Sequence, residues 1–589
     1  MPVKAYMFNF IIATLAALIV YCLTIILNNS GVIVLPAQAI VWTSVTFIMA
    51  FVLPVPAVAK KLKYALTELD WADEIVCLYK SVPFKYRQSF WLIFGFINLA
   101  FLFHTINFMW GNKDWGAVRF AVDHRESLQA GSFSAYWLQE LLFEGKILPV
   151  ANNLLAFAGL SLAGVLLAVY WNLPKRAAVI VITSLLFAVT PYTLSVLYHA
   201  RTSLGVCFLP SLVLIALLLS EKQSKSHTGT YLLNLTAIFL FLVALGTFMP
   251  VINFVAVVLL GRVLLRTVYA DISLKSAFLR IRQSLSNLAA AVMIYLLILF
   301  TLKETGALNQ EHAAALSLGA PFFRLPVLFK YAFWQFTMPL PFMDCVYRLL
   351  NLAFVLLALF VMIVKAPNGA AAARGLLLVP LIVIFSYVSL LFDAAPLRNL
   401  AETSFFALPF VLALSAAVLF ELSTSSLKRV VTGFAVLLIF MNFVRVAYAQ
   451  KVWKFGWEAE TKLSERIITR LEKQPEFDIS KQYTLLQIGE KSLRQKYYLK
   501  KSDELNSAEL LSAAYYPANG AAHAYNFFYQ TDFLKADDNG EALRDPIIKD
   551  YILYKARPYP AQESLFISGD YIVLVLDEIA LERLKNRLR

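Results

Sequence analysis

The fold is decided by stretches such as residues 150–171, VANNLLAFAGLSLAGVLLAVYW, which contain no charged side chain. A helix needs about 20 consecutive, mostly apolar residues to cross the hydrocarbon core of a bilayer. Similar runs recur along the chain and predict about 13 transmembrane helices. They lie at residues 7–28, 34–58, 89–109, 150–171, 178–197, 203–220, 231–248, 250–269, 286–303, 346–364, 375–392, 403–420 and 430–448.

The composition of the 589 residues agrees with a polytopic membrane protein. Hydrophobic residues make up 60% of the chain and charged residues 15%, whereas a soluble domain is about 45–50% apolar and about 25% charged. A soluble protein of this size and composition could not cover its surface with polar groups. The four cysteines have neither metal-binding nor paired spacing, so no structural zinc site and no disulfide framework is predicted.

The net charge of +14 is unevenly distributed along the chain. If the N-terminus is cytoplasmic and about 13 spans follow, the cytoplasmic loops carry about 20 basic and about 7 acidic residues, while the opposite loops are nearly balanced. This asymmetry is what the positive-inside rule requires. It predicts that the C-terminal part lies outside the cytoplasm, and it explains the excess charge without a nucleic-acid partner.

Two domains are predicted. Residues 1–448 form a transmembrane domain with long outer loops at 110–149 and 304–345, and residues 449–589 form a soluble domain. Within the soluble domain, residues 458–471 have amphipathic helical spacing, and residues 483–488 and 571–576 have the pattern of short buried strands. The predicted fold class is therefore a polytopic α-helical membrane protein with a small C-terminal α/β domain.

Several outer motifs occur in the order that is typical of one known family. They are an acidic first outer loop, the element Pro191-Tyr192 followed by Tyr198-x-x-Arg201, a hairpin sequence at residues 247–253, and a short tail that begins with an amphipathic helix. In order and spacing, the chain resembles the serotype-converting, O-antigen-modifying glucosyltransferases, which have the polytopic GT-C glycosyltransferase fold. The resemblance implies a bacterial inner-membrane protein that acts on the periplasmic side. Together with the charge asymmetry, it predicts a cytoplasmic N-terminus and a periplasmic C-terminal domain.

The resemblance also implies a reaction. A sugar would pass, with inversion, from a polyprenyl-phosphate donor to a hydroxyl group of an envelope glycan such as O-antigen. This transfer needs a carboxylate to deprotonate the acceptor and cations to hold the phosphate leaving group. The family often has Asp-Asp and then Arg in its first outer loop, and later Gly-Arg. This chain has Asp123-His124-Arg125-Glu126, with Asp114 upstream, and Gly145-Lys146, so the catalytic base is either Asp123 or Asp114.

Eight residues in the outer loops and at span ends are the candidate substrate-binding residues. They are His124, Arg125, Glu126, Tyr192, Tyr198, Arg201, Arg324 and Lys330. Each also has a structural interpretation, because cations and aromatic rings near a membrane interface commonly contact lipid headgroups. Asp114, Asp123 and Glu126 offer hard oxygen ligands for Mg²⁺ or Mn²⁺, but their spacing is not diagnostic, and we predict no metal and no other cofactor.

Other functions stay open at the level of sequence. The acceptor could be a protein such as a pilin, and the chain could instead be a transporter or flippase for a lipid-linked glycan, or a scaffold that recruits envelope partners. A flippase would need a polar path through the bilayer centre. Charged residues are almost absent from the middle of the predicted spans, which favours chemistry at the outer surface.

Overall fold

The computed structural model describes residues 82–111, 114, 124–222, 227–309, 320–336, 345–392, 400–489, 522, 525–526, 534–537 and 540–589. The predicted spans at 7–28 and 34–58 and the candidate base Asp123 lie outside these residues. Within the described ranges, nine helices are long and apolar enough to cross a bilayer. The protein is therefore a multi-pass membrane protein.

Sixteen helices precede the first strand in the described part of the chain. They are α1 (Phe84–Ile106), α2 (His124–Gln129), α3 (Trp137–Phe143), α4 (Pro149–Trp171), α5 (Ala177–Ala188), α6 (Pro191–Leu197), α7 (Ala200–Glu221), α8 (His227–Thr247), α9 (Val251–Tyr269), α10 (Leu274–Glu304), α11 (Ala320–Trp334), α12 (Cys345–Lys365), α13 (Gly369–Phe385), α14 (Leu400–Phe405), α15 (Leu408–Leu422) and α16 (Ser425–Glu472). A short 3₁₀ helix, Val388–Leu391, follows α13.

Nine of the predicted spans are confirmed as long apolar helices, and two differ from the simple span that the sequence predicts. The span predicted at 375–392 is the 17-residue helix α13, which contains Pro380 and is followed by the 3₁₀ helix. The span predicted at 178–197 is divided into α5 and α6, which meet at an angle of 58°.

The break between α5 and α6 follows from Pro191. Proline has no N–H to donate and disfavours the helical conformation at the preceding residue, and Thr190 accordingly has an extended backbone with φ of −140° and ψ of 157°. Pro191 is then the first residue of α6, where its missing N–H costs nothing. The Thr190 side chain caps α6 by accepting a hydrogen bond from the backbone N–H of Thr193 at 3.3 Å.

Helices α5 and α15 lie at the centre of the bundle. In α5, every side chain from Val179 to Ala188 is buried. In Thr403–Leu422, which includes α15, 89% of the most apolar 18-residue segment is buried. Both helices are apolar on all sides, as is typical of a helix surrounded by other helices. In α8 and α10, only 28% of the most apolar 18-residue segment is buried. Side chains such as Met293 and Leu297 are therefore exposed for contact with lipid.

Helix α16 joins the membrane region to the C-terminal region. It has 48 residues, which corresponds to about 72 Å at 1.5 Å per residue, whereas the hydrocarbon core is about 30 Å thick. The helix therefore extends well beyond the membrane, and it runs without a break through the predicted boundary between residues 448 and 449. Its last part contains the amphipathic stretch predicted at 458–471.

The C-terminal region contains a four-stranded sheet between two helical layers. Its strands are β1 (Tyr483–Ile488), β2 (Leu534–Ala536), β3 (Leu565–Ser568) and β4 (Tyr571–Val575), and its last helices are α17 (Pro546–Tyr554) and α18 (Glu578–Leu588). The strand order is β2-β1-β4-β3, with β1 parallel to β2 and β4, and β3 antiparallel to β4. Both strands that the sequence predicts are thus confirmed.

Alternate residues of β4 enter two different apolar clusters, as the pleat of a strand requires. Ile572 and Leu574 pack in a cluster with Ile467 and Leu471 of α16, whereas Val573 and Val575 belong to the cluster of α17 and α18. The first cluster also contains residues of the outer loop and of α7, namely Trp110, Ala135, Tyr136, Ile147 and Ala200. The C-terminal region therefore packs on the segments that form the candidate site.

Candidate functional site

The site is centred on Asp114 and the start of α7. The first N–H groups of a helix have no acceptor within the helix. Here the Asp114 carboxylate supplies one from a distant segment, since Oδ2 accepts from the N–H of Ala200 at 2.9 Å and Oδ1 accepts from the N–H of Arg201 at 3.1 Å. Asp114 is fully buried, with no exposed surface. A negative charge at this position also interacts favourably with the helix dipole.

A close approach of backbone requires glycine at position 111. The N–H of Gly111 donates to Asp114 Oδ2 at 3.0 Å, and the N–H of Asp114 donates to the Gly111 carbonyl at 3.2 Å, which makes a tight turn. A Cβ atom on Gly111 would lie 1.6 Å from the carbonyl oxygen of Tyr198. Any side chain at this position would therefore push the first outer loop away from the α6–α7 junction.

Opposing effects act on the Asp114 carboxyl group. Burial raises its pKa, because transfer out of water disfavours the charged form. His199, the N–H groups of Arg201 and Ala200, and the charge of Arg201 act in the opposite direction. His199 and Arg201, each 9% exposed, thus lie beside one buried carboxylate.

Arg201 connects α7 to the outer segment that includes α3. Its guanidinium lies over the ring of Tyr136, with 5.6 Å from the guanidinium carbon to the ring centroid. The buried side chain of Gln139 donates from Nε2 to the backbone carbonyl of Arg201 at 2.9 Å. The Tyr136 ring thus orients the Arg201 side chain, and the Gln139 hydrogen bond joins α3 to the backbone at the start of α7.

A row of aromatic rings in contact borders the site and brings α16 to it. The Trp453 ring is 4.7 Å from the His104 ring at an interplanar angle of 21°, and 5.1 Å from the Tyr198 ring. Phe108 continues the row, 5.2 Å from His104 and 5.1 Å from Trp110. The helix that leads to the C-terminal region is therefore part of the wall of the site.

Asp114, His199 and Arg201, framed by Tyr136, Tyr198 and Trp453, thus form one buried charged site at the N-terminal end of α7. No known family, curated protein or solved structure matches this chain. A function for this chain is therefore inferred from the chemistry of the site.

Among the predicted site residues, the structure brings Asp114, Tyr198 and Arg201 together. The backbone of His124, Arg125 and Glu126 forms the start of α2, but their side chains, like the whole of Asp123, lie outside the described part of the structure. In the described residues, no group of three or more His, Cys, Asp and Glu side chains could hold a metal ion. This observation does not reach Asp123 and Glu126, so the prediction of no metal stays a prediction.

The remaining predicted residues have other surroundings. Tyr192 is 3% exposed at the start of α6 and interacts with Tyr347 and Tyr387. On α11, Arg324 donates to the carbonyl of Leu391 at 3.4 Å, and Lys330 lies 5.0 Å from the centroid of the Trp334 ring. The partners of Arg324 and Lys330 are thus those of α11 and the 3₁₀ helix rather than those of Asp114.

The sequence did not identify Gly111, Gln139, His199 and Trp453 as site residues. For Gly111 the only local signal is the residue type, because glycine permits a close approach of backbone. His199 lies inside the Tyr198-x-x-Arg201 element. Gln139 and Trp453 have no local signal, since their role depends on contacts between segments far apart in the chain.

Proposed function

We propose that the protein is a bacterial inner-membrane glycosyltransferase. It transfers a sugar from a polyprenyl-phosphate donor to a hydroxyl group of an envelope glycan, resembling O-antigen, on the periplasmic face and with inversion. In this proposal the chain has about 13 transmembrane helices in a GT-C-like arrangement, a cytoplasmic N-terminus and a periplasmic C-terminal domain.

The observation that carries the proposal is the buried Asp114 carboxylate, which accepts from the backbone N–H groups of Ala200 and Arg201 and lies close to His199 at the start of α7. A charge held near the membrane face is costly and is commonly functional. The planar guanidinium of arginine suits the oxygens of a phosphate group. In this proposal Arg201 stabilises the phosphate as the sugar leaves, and the ring of Tyr136 orients its guanidinium.

The geometry favours different roles for the two candidate carboxylates. A general base must reach the proton of the acceptor hydroxyl, but Asp114 is fully buried and already accepts three backbone hydrogen bonds. We therefore assign Asp114 the role of a positioning residue for Arg201 and His199. Asp123, in the same outer loop, is then the proposed base.

The arrangement of chain segments supports the proposed topology. The loop after α1, the α6–α7 junction and the extended part of α16 meet at one end of the bundle through Asp114 and Trp453. Exposed basic residues at the opposite end include Lys175, Arg176 and Lys222. The positive-inside rule would make that end cytoplasmic.

The test compares the masses of envelope glycans from cells that lack the protein and from cells that express wild type, Asp123→Asn or Glu144→Gln. Glu144 is the matched control, because its carboxylate belongs to the same outer region and is 88% exposed. Wild type and the control should add one sugar residue. Asp123→Asn should slow transfer by about 10²–10⁴-fold, the contribution of a general base.

Two outcomes would contradict this assignment. Full activity of Asp123→Asn would show that another group is the base. Glycans of unchanged mass, together with accumulation of a lipid-linked glycan on one face of the membrane in cells that lack the protein, would instead identify a transporter.

A further inference from the structure

A second group of buried charges lies at the opposite end of α7 from Asp114. The Arg262 guanidinium donates hydrogen bonds to the Glu221 carboxylate and to the carbonyl of Tyr170, and it stacks over the Tyr170 ring at 4.0 Å from the centroid. The side chains of Arg262 and Glu221 are only 12% and 15% exposed. Glu221 is therefore already engaged by Arg262.

Arg266 brings a second cation to the same place. It lies four residues after Arg262 on α9, and residues four apart share a helix face. Arg262, Glu221, Arg280 and Tyr170 all interact electrostatically with Arg266. Its Nη1 atom is buried and has no hydrogen-bond partner among the described residues. Arg266 thus lies near two other arginines but only one glutamate among the described residues, and a further anion would offset this excess of positive charge.

The surroundings of this group suit an anion that carries hydrocarbon chains. Arg280 is exposed near the start of α10, and its neighbours Phe278 and Leu279 are exposed apolar side chains. Lys222, directly after Glu221, is also exposed. A soluble anion would use only the charges, whereas a phospholipid would use both the charges and the apolar surface.

We propose that Arg266 and Arg280 bind the phosphate of an anionic phospholipid between the ends of α7, α9 and α10. Basic pockets between transmembrane helices bind anionic headgroups, and arginine can offer two parallel N–H donors to a phosphate. Arg262 stays in its ion pair with Glu221. It therefore positions the site but does not bind the lipid phosphate. This site is remote from Asp114 and is independent of the proposed glycosyl transfer.

The test uses the full chain in nanodiscs of phosphatidylcholine alone or with an equal amount of phosphatidylglycerol. Thermal unfolding and retention of phosphatidylglycerol by native mass spectrometry are measured for wild type, Arg266→Gln, Arg280→Gln and Arg282→Gln. Arg282 is the matched control, because it is exposed on the same helix two residues from Arg280 and so points to another side. Removing one charge of the site should weaken phosphatidylglycerol binding about fivefold.

We expect phosphatidylglycerol to raise the Tm of wild type and Arg282→Gln but to have less effect on the other two variants. Glycerol phosphate in solution should not replace the lipid. Equal losses for Arg282→Gln and Arg280→Gln would overturn the proposal, since they would indicate diffuse attraction to the membrane. A loss of stability in Arg266→Gln that is the same with and without phosphatidylglycerol would also overturn it, because Arg266 would then have a protein partner. If Arg266→Gln does not fold, Arg280→Gln alone decides.

Discussion

The three N–H groups that donate to Asp114 come from two segments, the turn at Gly111 and the start of α7 at Ala200 and Arg201. One carboxylate therefore fixes the first outer loop to the α6–α7 junction. A carboxylate is negatively charged and accepts hydrogen bonds on two oxygens, whereas an amide has one acceptor oxygen and a hydroxyl is neutral. This position is therefore specific for a carboxylate. Its removal should affect both the stability of the junction and the direction of Arg201.

We predict that Asp114→Asn lowers both stability and transfer. An amide keeps one acceptor oxygen but turns an NH₂ group toward backbone donors, and each buried N–H without an acceptor costs on the order of 1–3 kcal/mol. Thermal unfolding of the purified protein should show a lower Tm for Asp114→Asn but not for Glu144→Gln or Asp123→Asn. Unchanged stability of Asp114→Asn together with abolished transfer would instead make Asp114 the base.

The sequence predicted Asp114, Tyr198 and Arg201 better than the residues that support them. Asp114 and Arg201 stand out because charged residues near a predicted membrane face are unusual, and Tyr198 belongs to the same short element. Gln139 and Trp453 resemble ordinary interface residues in the sequence. Only the packing of α3 on α7 and of α16 beside α1 gives them a role, and such packing depends on contacts that no local pattern encodes.

At the level of elements, two apolar runs do not form the regular spans that the sequence predicts. In the run at 178–197, Pro191 breaks the helix between α5 and α6. The break shapes the candidate site, because α6 ends just before Tyr198 and His199 and so leads the chain to it. A straight helix through this region would carry these residues along its axis and away from the turn at Gly111.

Helix α16 supplies the next prediction, because it carries a wall of the site on the element that leads out of the membrane. Trp453 is fully buried against His104 and Tyr198. Trp453→Ala should destabilise the protein by about 3–5 kcal/mol, as truncation of a large buried aromatic side chain does, and should reduce transfer. The control is Lys454→Ala, the neighbouring position, whose side chain is 30% exposed. Equal Tm values for the two variants would contradict the packing described here.

For the whole molecule, periodicity and composition predicted the type of fold but not its assembly. Apolar runs identify spans because the bilayer demands a fixed length of apolar helix. The strands give a weaker signal, because β1 and β4 are short and β4 is buried on both faces, so its apolar run is nearly continuous. The packing of the C-terminal sheet on the outer loop could not be predicted, because it depends on a cluster drawn from residues as distant as Trp110 and Leu574.

The order of the spans leads to a prediction for the topology of the whole chain. The segments around Glu144 and Lys549 should lie on one side of the membrane, and that around Lys175 on the other. All three side chains are exposed, so Glu144→Cys, Lys549→Cys and Lys175→Cys can be labelled in a variant that lacks the four native cysteines. In intact cells with a permeable outer membrane, an impermeant maleimide should label positions 144 and 549, whereas position 175 should react only after the inner membrane is opened. Labelling of position 175 before that step would reverse the orientation. It would place Asp114 and Arg201 on the cytoplasmic side, where the proposed periplasmic transfer could not occur.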